Sequence, residues 1–322
     1  MYSFVFNPNE MEHHNSGNAD CDGVVKTNSA RAWWLAARPK TLSGAAVPVI
    51  VGAALAAASS HGGVMWAPVF LCLLFALVMQ VDANLVNDYF DFARGGDSAE
   101  RLGPRRACAN GWVSLPAMRR AIACVSAIAC AAGLPLVLYG GWWLVAVGAS
   151  CVAFCFLYTT HLSRMAMGDV LVFVFFGIVP VCCTYWLAMP EGSDLDLVEP
   201  LAAAAGCGLV IDTLLIVNNF RDIEEDGKNG KKTLAVVLGR KGALAAYLAA
   251  GALGWATAAA GFAYSGHWWA VAATAAYLPL HFKSFLGMKS IWIGKRLNMV
   301  LGATARNMLL YGILAAAGLA VS

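Results

Sequence analysis

The chain has 322 residues, of which 60% are hydrophobic and 13% are charged, and its formal net charge is +3. Soluble globular domains carry about 25% charged residues, and several apolar runs in this chain reach the ~20 residues that a helix needs to cross a bilayer. The composition therefore excludes an ordinary soluble domain. It predicts a polytopic membrane protein whose partner is the lipid bilayer and not a nucleic acid.

The chain begins with a polar segment, "MYSFVFNPNEMEHHNSGNADCDGVVKTNS", which lacks the continuous apolar core of a signal peptide. We expect residues 1–30 to form a flexible tail and residues 31–322 to form one transmembrane domain. The predicted fold class is all-α, because long apolar segments predict about nine transmembrane helices. These segments lie at 41–59, 64–89, 118–138, 142–160, 168–189, 200–220, 242–262, 267–286 and 299–321.

The lysines and arginines indicate how the helices cross the membrane. With a cytoplasmic N-terminus and nine helices, all 22 of these residues fall in inner connections or at inner helix ends. The outer loops carry none, and one of them, "PEGSDLDLVEP", is acidic. Cytoplasmic segments of membrane proteins are enriched in Lys and Arg. We therefore expect the N-terminus and the polar connections at 90–117 and 221–241 to be cytoplasmic.

A cluster of polar residues ends the second predicted helix. On a helix, Asn84, Asn87, Asp88 and Asp91 occupy positions i, i+3, i+4 and i+7 and share one face. Asp97 follows after two glycines. Carboxylates beside hydrocarbon are costly, which indicates that a function retains them.

A second acidic cluster ends the sixth predicted helix, in "NNFRDIEEDGKNGKKT". Asn218, Asp222 and Asp226 recur every four residues, and we expect them on one stripe of that helix. Like charges on facing helices repel unless a cation lies between them. Hard oxygen ligands with no His or Cys set nearby indicate Mg²⁺, with Mn²⁺ as the other possibility.

Basic residues are predicted at the same level as these acids, among them Arg38, Lys40, Arg101, Lys228 and Lys231. Acidic metal ligands mixed with basic groups are typical of a site for a diphosphate bridged by Mg²⁺, because Mg²⁺ also binds substrate phosphates. Since this site is at a membrane, we expect the diphosphate to carry a lipid tail.

The two motifs resemble those of the UbiA superfamily of membrane prenyltransferases, NDxxDxxxD and DxxxD. "NDYFD" matches the first part of NDxxDxxxD. The final aspartate of the family motif would fall on residue 95, which is Gly95 here, and the nearest following aspartate is Asp97. The whole stretch "NLVNDYFDFARGGDSAERLGPRR", which begins at Asn84, is similar to NxxNDYxDxxxGxDxxxRxGPxR of one branch. That branch is the 1,4-dihydroxy-2-naphthoate prenyltransferases of menaquinone synthesis, which "RPKTL" at 38–42 and "MGDVLVFVFFG" at 167–177 also resemble.

The resemblance covers about residues 31–321. It implies a UbiA-type helical bundle with a central cavity open to the cytoplasmic side, in a bacterial plasma membrane. It also implies Mg²⁺-dependent transfer of a polyprenyl group from an allylic polyprenyl diphosphate to 1,4-dihydroxy-2-naphthoate. In that branch the ring carboxylate leaves as CO₂, and demethylmenaquinol results.

The same resemblance implies roles for individual residues. The expected Mg²⁺ ligands, direct or through water, are Asp88, Asp91, Asp97, Asp222 and Asp226. Tyr158 is expected to act in catalysis with these aspartates by facing the carbocation or the aromatic substrate, because a ring face stabilises positive charge. The residues expected to bind the diphosphate are Arg38, Lys40, Asn84, Asn87, Arg101, Arg105, Asn218, Lys228 and Lys231.

Two alternative functions are compatible with parts of this pattern. Within the superfamily, the acceptor could be 4-hydroxybenzoate or homogentisate, although the spacing of Gly95 and Asp97 and the sequence "RLGPRR" argue against it. Outside it, the acidic stripes could belong to a cation transporter. Transporters place their ion-binding groups near the bilayer midplane, whereas these groups are predicted at one interface.

Overall fold

The computed structural model describes residues 25–60, 63–95, 102–193 and 195–322. The chain in these ranges is helical, and no β-strand occurs in them. Its helices are α1 (Ala30–Ala37), α2 (Leu42–Ser59), α3 (Trp66–Ala93), α4 (Leu115–Gly133), α5 (Val137–Gly140), α6 (Trp143–Thr160), α7 (Gly168–Val172), α8 (Val179–Ala188), α9 (Val198–Arg221), α10 (Ile223–Lys228), α11 (Leu234–Tyr264), α12 (Trp268–Ala275), α13 (Tyr277–Ile291) and α14 (Leu297–Ala320).

Eight helical stretches of the described chain are long and apolar enough to cross a membrane. They are Ala30–Ser59, Trp66–Ala93, Leu115–Gly140, Trp143–Thr160, Gly168–Ala188, Val198–Arg221, Leu234–Tyr264 and Leu297–Ala320. The ninth predicted segment, 267–286, is also helical but is divided between α12 and α13, which meet at Ala276. The prediction of an all-α polytopic membrane protein is confirmed.

Two segments that the sequence placed in loops or in the tail have defined structure. The predicted connection 221–241 contains α10 and the start of α11, where the Thr233 side chain accepts a hydrogen bond from the Val236 N–H. The predicted tail is bound at its end, since the Asn28 N–H donates to the Trp112 carbonyl oxygen over 2.7 Å. Structured chain therefore begins before residue 31, the predicted domain boundary. Short polar segments carry no apolar periodicity, so the sequence pattern did not reveal them.

Small residues allow the helices of the bundle to approach closely. A Cβ added to Gly206 of α9 would lie 2.5 Å from the carbonyl oxygen of Gly254 in α11. A Cβ added to Gly177, in the π-helical stretch between α7 and α8, would lie 2.5 Å from the Gly208 Cα. Membrane helices associate by such backbone proximity, because lipid tails offer no hydrophobic driving force. The position of α9 between these two neighbours fixes where its polar C-terminal end lies.

Candidate active site

The first acidic motif lies on the last three turns of α3, which packs its polar end against the junction of α1 and α2. The Nδ2 atom of Asn84 donates to the Ala37 carbonyl oxygen and to Thr41 Oγ1, each over 2.9 Å. Arg38, which has a left-handed φ of 50° between the two helices, brings its Nη2 atom to 3.9 Å from Asp88 Oδ2. The "RPKTL" segment is therefore adjacent to the first motif in space, although Thr41 and Asn84 are 43 positions apart in the sequence.

Asp88 binds the loop that leads into α4. Its Oδ2 accepts from the Ala107 N–H over 2.8 Å, and its Oδ1 accepts from the Cys108 N–H over 2.9 Å. The side chain is 1% exposed. Asp88 was predicted as a metal ligand; in the structure its two oxygens accept hydrogen bonds from this loop and fix it against α3.

Arg106 is a site residue that the sequence interpretation missed. Its Nη2 atom lies 2.6 Å from Asp91 Oδ2, its Nη1 donates to the Asn87 carbonyl oxygen over 2.8 Å, and its side chain is 5% exposed. Arg105, which was predicted instead, is exposed. The family pattern could have identified Arg106, because its last fixed arginine, counted from Asn84, falls on residue 106 and not on 105.

The second acidic motif begins where α9 ends, and a buried arginine organises it. Arg221 is 1% exposed and holds both oxygens of Asp222, with Nε at 2.7 Å from Oδ1 and Nη2 at 2.5 Å from Oδ2. Nη2 also donates to Asn218 Oδ1 over 2.8 Å. The predicted continuous stripe is wrong in one respect, because α9 ends at Arg221 and Asp226 is on α10. Arg221 was not singled out by sequence, although it directly precedes Asp222.

Lys231 joins the two motifs. Its Nζ atom lies 3.2 Å from Asp91 Oδ2 and 3.9 Å from Asp226 Oδ1. Burial raises the pKa of Asp226 to about 6; Lys231 opposes this rise, while the carboxylates of Asp222, Glu225 and Asp91 add to it. The carboxylates of the two motifs are thus close enough to affect one another, and their ionised forms favour a cation between them.

The donor set of this site fits a divalent metal. Its ligating atoms are hard oxygens, which Mg²⁺ prefers, and an ammonium group already lies between the carboxylates of Asp91 and Asp226. Asn87 Oδ1, which is buried, has no hydrogen-bond partner. Within the described ranges, no three Asp, Glu, His or Cys side chains are arranged to hold an ion by themselves. The geometry therefore suits an ion that retains water or substrate oxygens in its coordination shell.

The other predicted site residues divide into three groups. Lys40 and Lys228 are exposed. Asp97 and Arg101 lie outside the described residues. Tyr158 of α6 lines a cavity, together with Arg38, Asn84 and Asn87.

That cavity runs from the polar end of α3 into the bundle and has a volume of about 460 Å³. Arg38, Gln80, Asn84, Asn87 and Tyr158 form a polar rim. The remaining wall is mainly apolar and includes Phe75, Met79, Phe154, Phe175, Phe176, Val179 and Leu187. Ligand sites have volumes of about 300–1,000 Å³, mostly apolar walls and a few polar groups, and this cavity has all three properties. It can hold an elongated apolar group whose head lies near the first motif.

The fold is an all-helical membrane bundle, and its site combines two facing acidic motifs, interleaved cations and an adjoining apolar cavity. This combination is typical of one class of protein, an intramembrane enzyme or binding protein for a lipid with an anionic head. Residues 45–292 match the UbiA prenyltransferase family, and the chain belongs to this family. It is accordingly a membrane prenyltransferase, and the cation-transporter alternative loses its support.

Two relatives match most of the chain. The 1,4-dihydroxy-2-naphthoate octaprenyltransferase of Mycobacterium tuberculosis is 38% identical over 210 residues, covering 64% of this chain and 70% of the relative. The protein of the same name from Haemophilus influenzae is 34% identical over 218 residues, covering 65% of this chain and 70% of the relative.

A solved structure supports the fold. The UbiA homolog from Archaeoglobus fulgidus bound to DMAPP and Mg²⁺ superposes with a TM-score of 0.61 over 90% of this chain and 100% of that chain. The sequence identity is 14%, so the likeness concerns the fold.

Proposed function

We propose that this protein transfers a polyprenyl group from an allylic polyprenyl diphosphate to 1,4-dihydroxy-2-naphthoate. The ring carboxylate leaves as CO₂, and the product is demethylmenaquinol. The observation that carries the proposal is the meeting of the two acidic motifs around Lys231, beside an apolar cavity. The choice of acceptor is supported by relatives of that name at 34% and 38% identity.

We place the diphosphate between the two motifs. Asp91, Asp222 and Asp226, with Asn87, would bind Mg²⁺ directly or through water and together with substrate oxygens, while Arg38 and Lys231 would contact phosphate oxygens directly. Bound Mg²⁺ would neutralise the diphosphate and make it a better leaving group. Lys231 is 22% exposed and Arg38 27% exposed at the side chain, so both can move from a carboxylate to a phosphate oxygen. Asp97 and Arg101 remain predicted members of the same site.

The cavity would hold the prenyl chain and protect the reacting carbon from water. The allylic C–O bond breaks, the bonding electrons leave with the diphosphate, and the electron-rich ring attacks the carbocation. One C–C bond forms to the prenyl carbon, and the C–C bond to the carboxylate breaks with its electrons returning to the ring, so that charge balances without an added oxidant. Tyr158 lines the cavity near its polar rim and would present its ring to the carbocation.

Asp88, Arg106 and Arg221 would act through other residues in this scheme. Asp88 and Arg106 fix the loop after α3, and Arg221 orients Asp222. We propose further that the site faces the cytoplasm in a bacterial plasma membrane, as the distribution of Lys and Arg predicts.

The test is product mass spectrometry on purified protein in detergent, with Mg²⁺, 1,4-dihydroxy-2-naphthoate and prenyl diphosphates of several lengths. We expect a prenylated product whose mass reflects the loss of CO₂, no product with EDTA, and recovery on adding excess Mg²⁺. 4-Hydroxybenzoate and homogentisate serve as competing acceptors. Turnover of either one without turnover of the naphthoate would overturn the choice of acceptor, and undiminished turnover in EDTA would overturn the metal assignment.

A further inference from the structure

Asn298, in the first turn of α14, makes hydrogen bonds to both segments that carry the acidic motifs. Its Nδ2 atom donates to the Leu102 carbonyl oxygen over 2.9 Å. Its Oδ1 atom accepts from Arg221 Nη1 over 2.7 Å. Asn298 belongs to neither motif and lies beyond residues 45–292, the part of the chain that matches the family.

On one side, Asn298 acts on the second motif through Arg221. That guanidinium is 1% exposed, so it depends on protein partners in place of water. Nε and Nη2 are used by Asp222, and Nη2 is shared with Asn218. Asn298 satisfies the remaining nitrogen, Nη1. The orientation of the Asp222 carboxylate therefore depends on a guanidinium that Asn298 fixes from the opposite side.

On the other side, Asn298 acts on the first motif through the loop before α4. Leu102 is four residues before Arg106, whose Nη2 atom lies 2.6 Å from Asp91 Oδ2. The next part of this loop is held by Asp88. The loop is thus attached to α14 through Leu102 and to α3 through Asp88, which binds Ala107 and Cys108, and Arg106 lies between these two attachments.

The chemistry of the two contacts explains why an asparagine suits this position. A guanidinium only donates hydrogen bonds, and a backbone carbonyl only accepts them. One orientation of the amide satisfies both neighbours at once. An aspartate has the same shape but would place an oxygen against the Leu102 carbonyl oxygen. That arrangement is unfavourable, because both oxygens are hydrogen-bond acceptors and neither can donate.

We propose that Asn298 is a positioning residue that sets the separation of the two acidic motifs, through Leu102 and Arg221, so that Asp91 and Asp222 act on one Mg²⁺–diphosphate. This inference rests on the proposed function of the two motifs. It adds the start of the last helix to the machinery of the site.

The test uses Asn298→Asp in the full chain, purified in detergent. We expect calorimetry with Mg²⁺ and inorganic pyrophosphate to show about tenfold weaker binding than in the wild type. In the transfer assay we expect a similar rise in KM for the prenyl diphosphate, with KM for the aromatic acceptor unchanged. Asn298→Ala removes both contacts without adding charge. It should likewise raise KM for the prenyl diphosphate and leave KM for the aromatic acceptor unchanged.

The matched control is Asn307→Asp. Asn307 is on the same helix and makes contacts of the same kind, donating to the Leu280 carbonyl oxygen over 3.1 Å and to Ser284 Oγ over 3.0 Å. It contacts neither motif through these bonds, so we expect wild-type binding of Mg²⁺–pyrophosphate. An equal loss in this control would overturn the inference, because it would show a general effect of disturbing α14.

The outcomes separate this inference from the proposed function. If the wild type binds Mg²⁺–pyrophosphate and both Asn298 variants bind it equally well, the inference fails and the proposed function stands. If the wild type does not bind it, both fail. If neither Asn298 variant elutes as a folded monodisperse species while the Asn307 variant does, the role of Asn298 is stability of the fold and the inference is overturned.

Discussion

Lys231 Nζ lies 3.2 Å from Asp91 Oδ2, although the two residues are 140 positions apart in the chain. The ammonium also lies 3.9 Å from Asp226 Oδ1. One cation therefore joins the end of α3 to the segment that follows α9. This contact is a direct structural link between the two acidic motifs, and it supports the first prediction.

Replacing Lys231 by methionine should lower kcat/KM for the prenyl diphosphate by about 100-fold, which corresponds to about 2.7 kcal/mol of lost transition-state stabilisation. The physical reason is the loss of a donor and a positive charge where we place the leaving diphosphate. The measurement is initial-rate kinetics with varied diphosphate. Lys232→Met is the control, because Lys232 is the adjacent lysine and is exposed; equal effects of the two changes would contradict the assignment of Lys231.

Arg106 and Arg105 should differ sharply in their tolerance of substitution. Arg106→Met would leave the buried Asp91 carboxylate without its 2.6 Å partner, and breaking a buried ion pair costs about 3–5 kcal/mol. We expect loss of transfer and a lower melting temperature in detergent. Arg105→Met should have a much smaller effect on both, since that side chain is exposed whereas Arg106 is buried. A greater loss of transfer activity in the Arg105 variant than in the Arg106 variant would contradict the assignment of Arg106 as the partner of Asp91.

Asp88→Asn should act on stability first. The change replaces a carboxylate that accepts two backbone N–H groups by an amide with one acceptor, and hydrogen bonds to charged groups contribute about 1.5–3 kcal/mol. We expect a lower melting temperature and faster proteolysis between residues 102 and 113. Asp196→Asn is the control, because Asp196 also accepts a backbone N–H, from Val198 over 2.9 Å, but is exposed. Unchanged proteolysis would indicate that Asp88 does not hold this loop.

Gly148→Trp should shorten the prenyl chain that the enzyme accepts. Gly148 of α6 lines the cavity, and a Cβ added there would meet nothing within 4 Å. A bulky side chain would therefore fill apolar space that we assign to the prenyl chain. We expect kcat/KM to fall about tenfold for octaprenyl diphosphate and to change little for geranyl diphosphate. The rates would be compared by mass spectrometry of the products.

The control for this change is Gly302→Trp on α14. A Cβ added to Gly302 also meets nothing within 4 Å, but Gly302 is exposed and does not line the cavity. It should leave the preference for chain length unchanged. A fall of the same size for short and long diphosphates in the Gly148 variant would argue that the cavity does not hold the prenyl chain.

Much of the architecture could be predicted because membrane helices are encoded locally. A run of ~20 apolar residues is sufficient to specify a span. The segment predicted at 142–160, for example, differs by one residue from the observed helix Trp143–Thr160. Helical periodicity also placed Asn84 and Asp91 together on α3. The division of 267–286 into α12 and α13 was not predictable, because the segment is apolar on both sides of Ala276.

The candidate site was less predictable at the level of individual contacts. The prediction chose Arg105, which is exposed, in place of its neighbour Arg106, which is buried against Asp91. It also treated Lys228 and Lys231 alike, although Lys231 contacts two carboxylates and Lys228 is exposed. The fixed positions of a family pattern distinguish the first pair. Nothing in the local pattern distinguishes the second pair.

The amino-acid sequence by itself determined the class of protein, the membrane helices and the two acidic motifs, because each is encoded in continuous stretches of the chain. Only the tertiary structure decided which cation meets which carboxylate, that Asp88 binds a loop, and that Asn298 touches both motif segments. The reason is that these contacts join helices distant in the chain, and their geometry follows from close packing at residues such as Gly206 and Gly254, which lie far from the site.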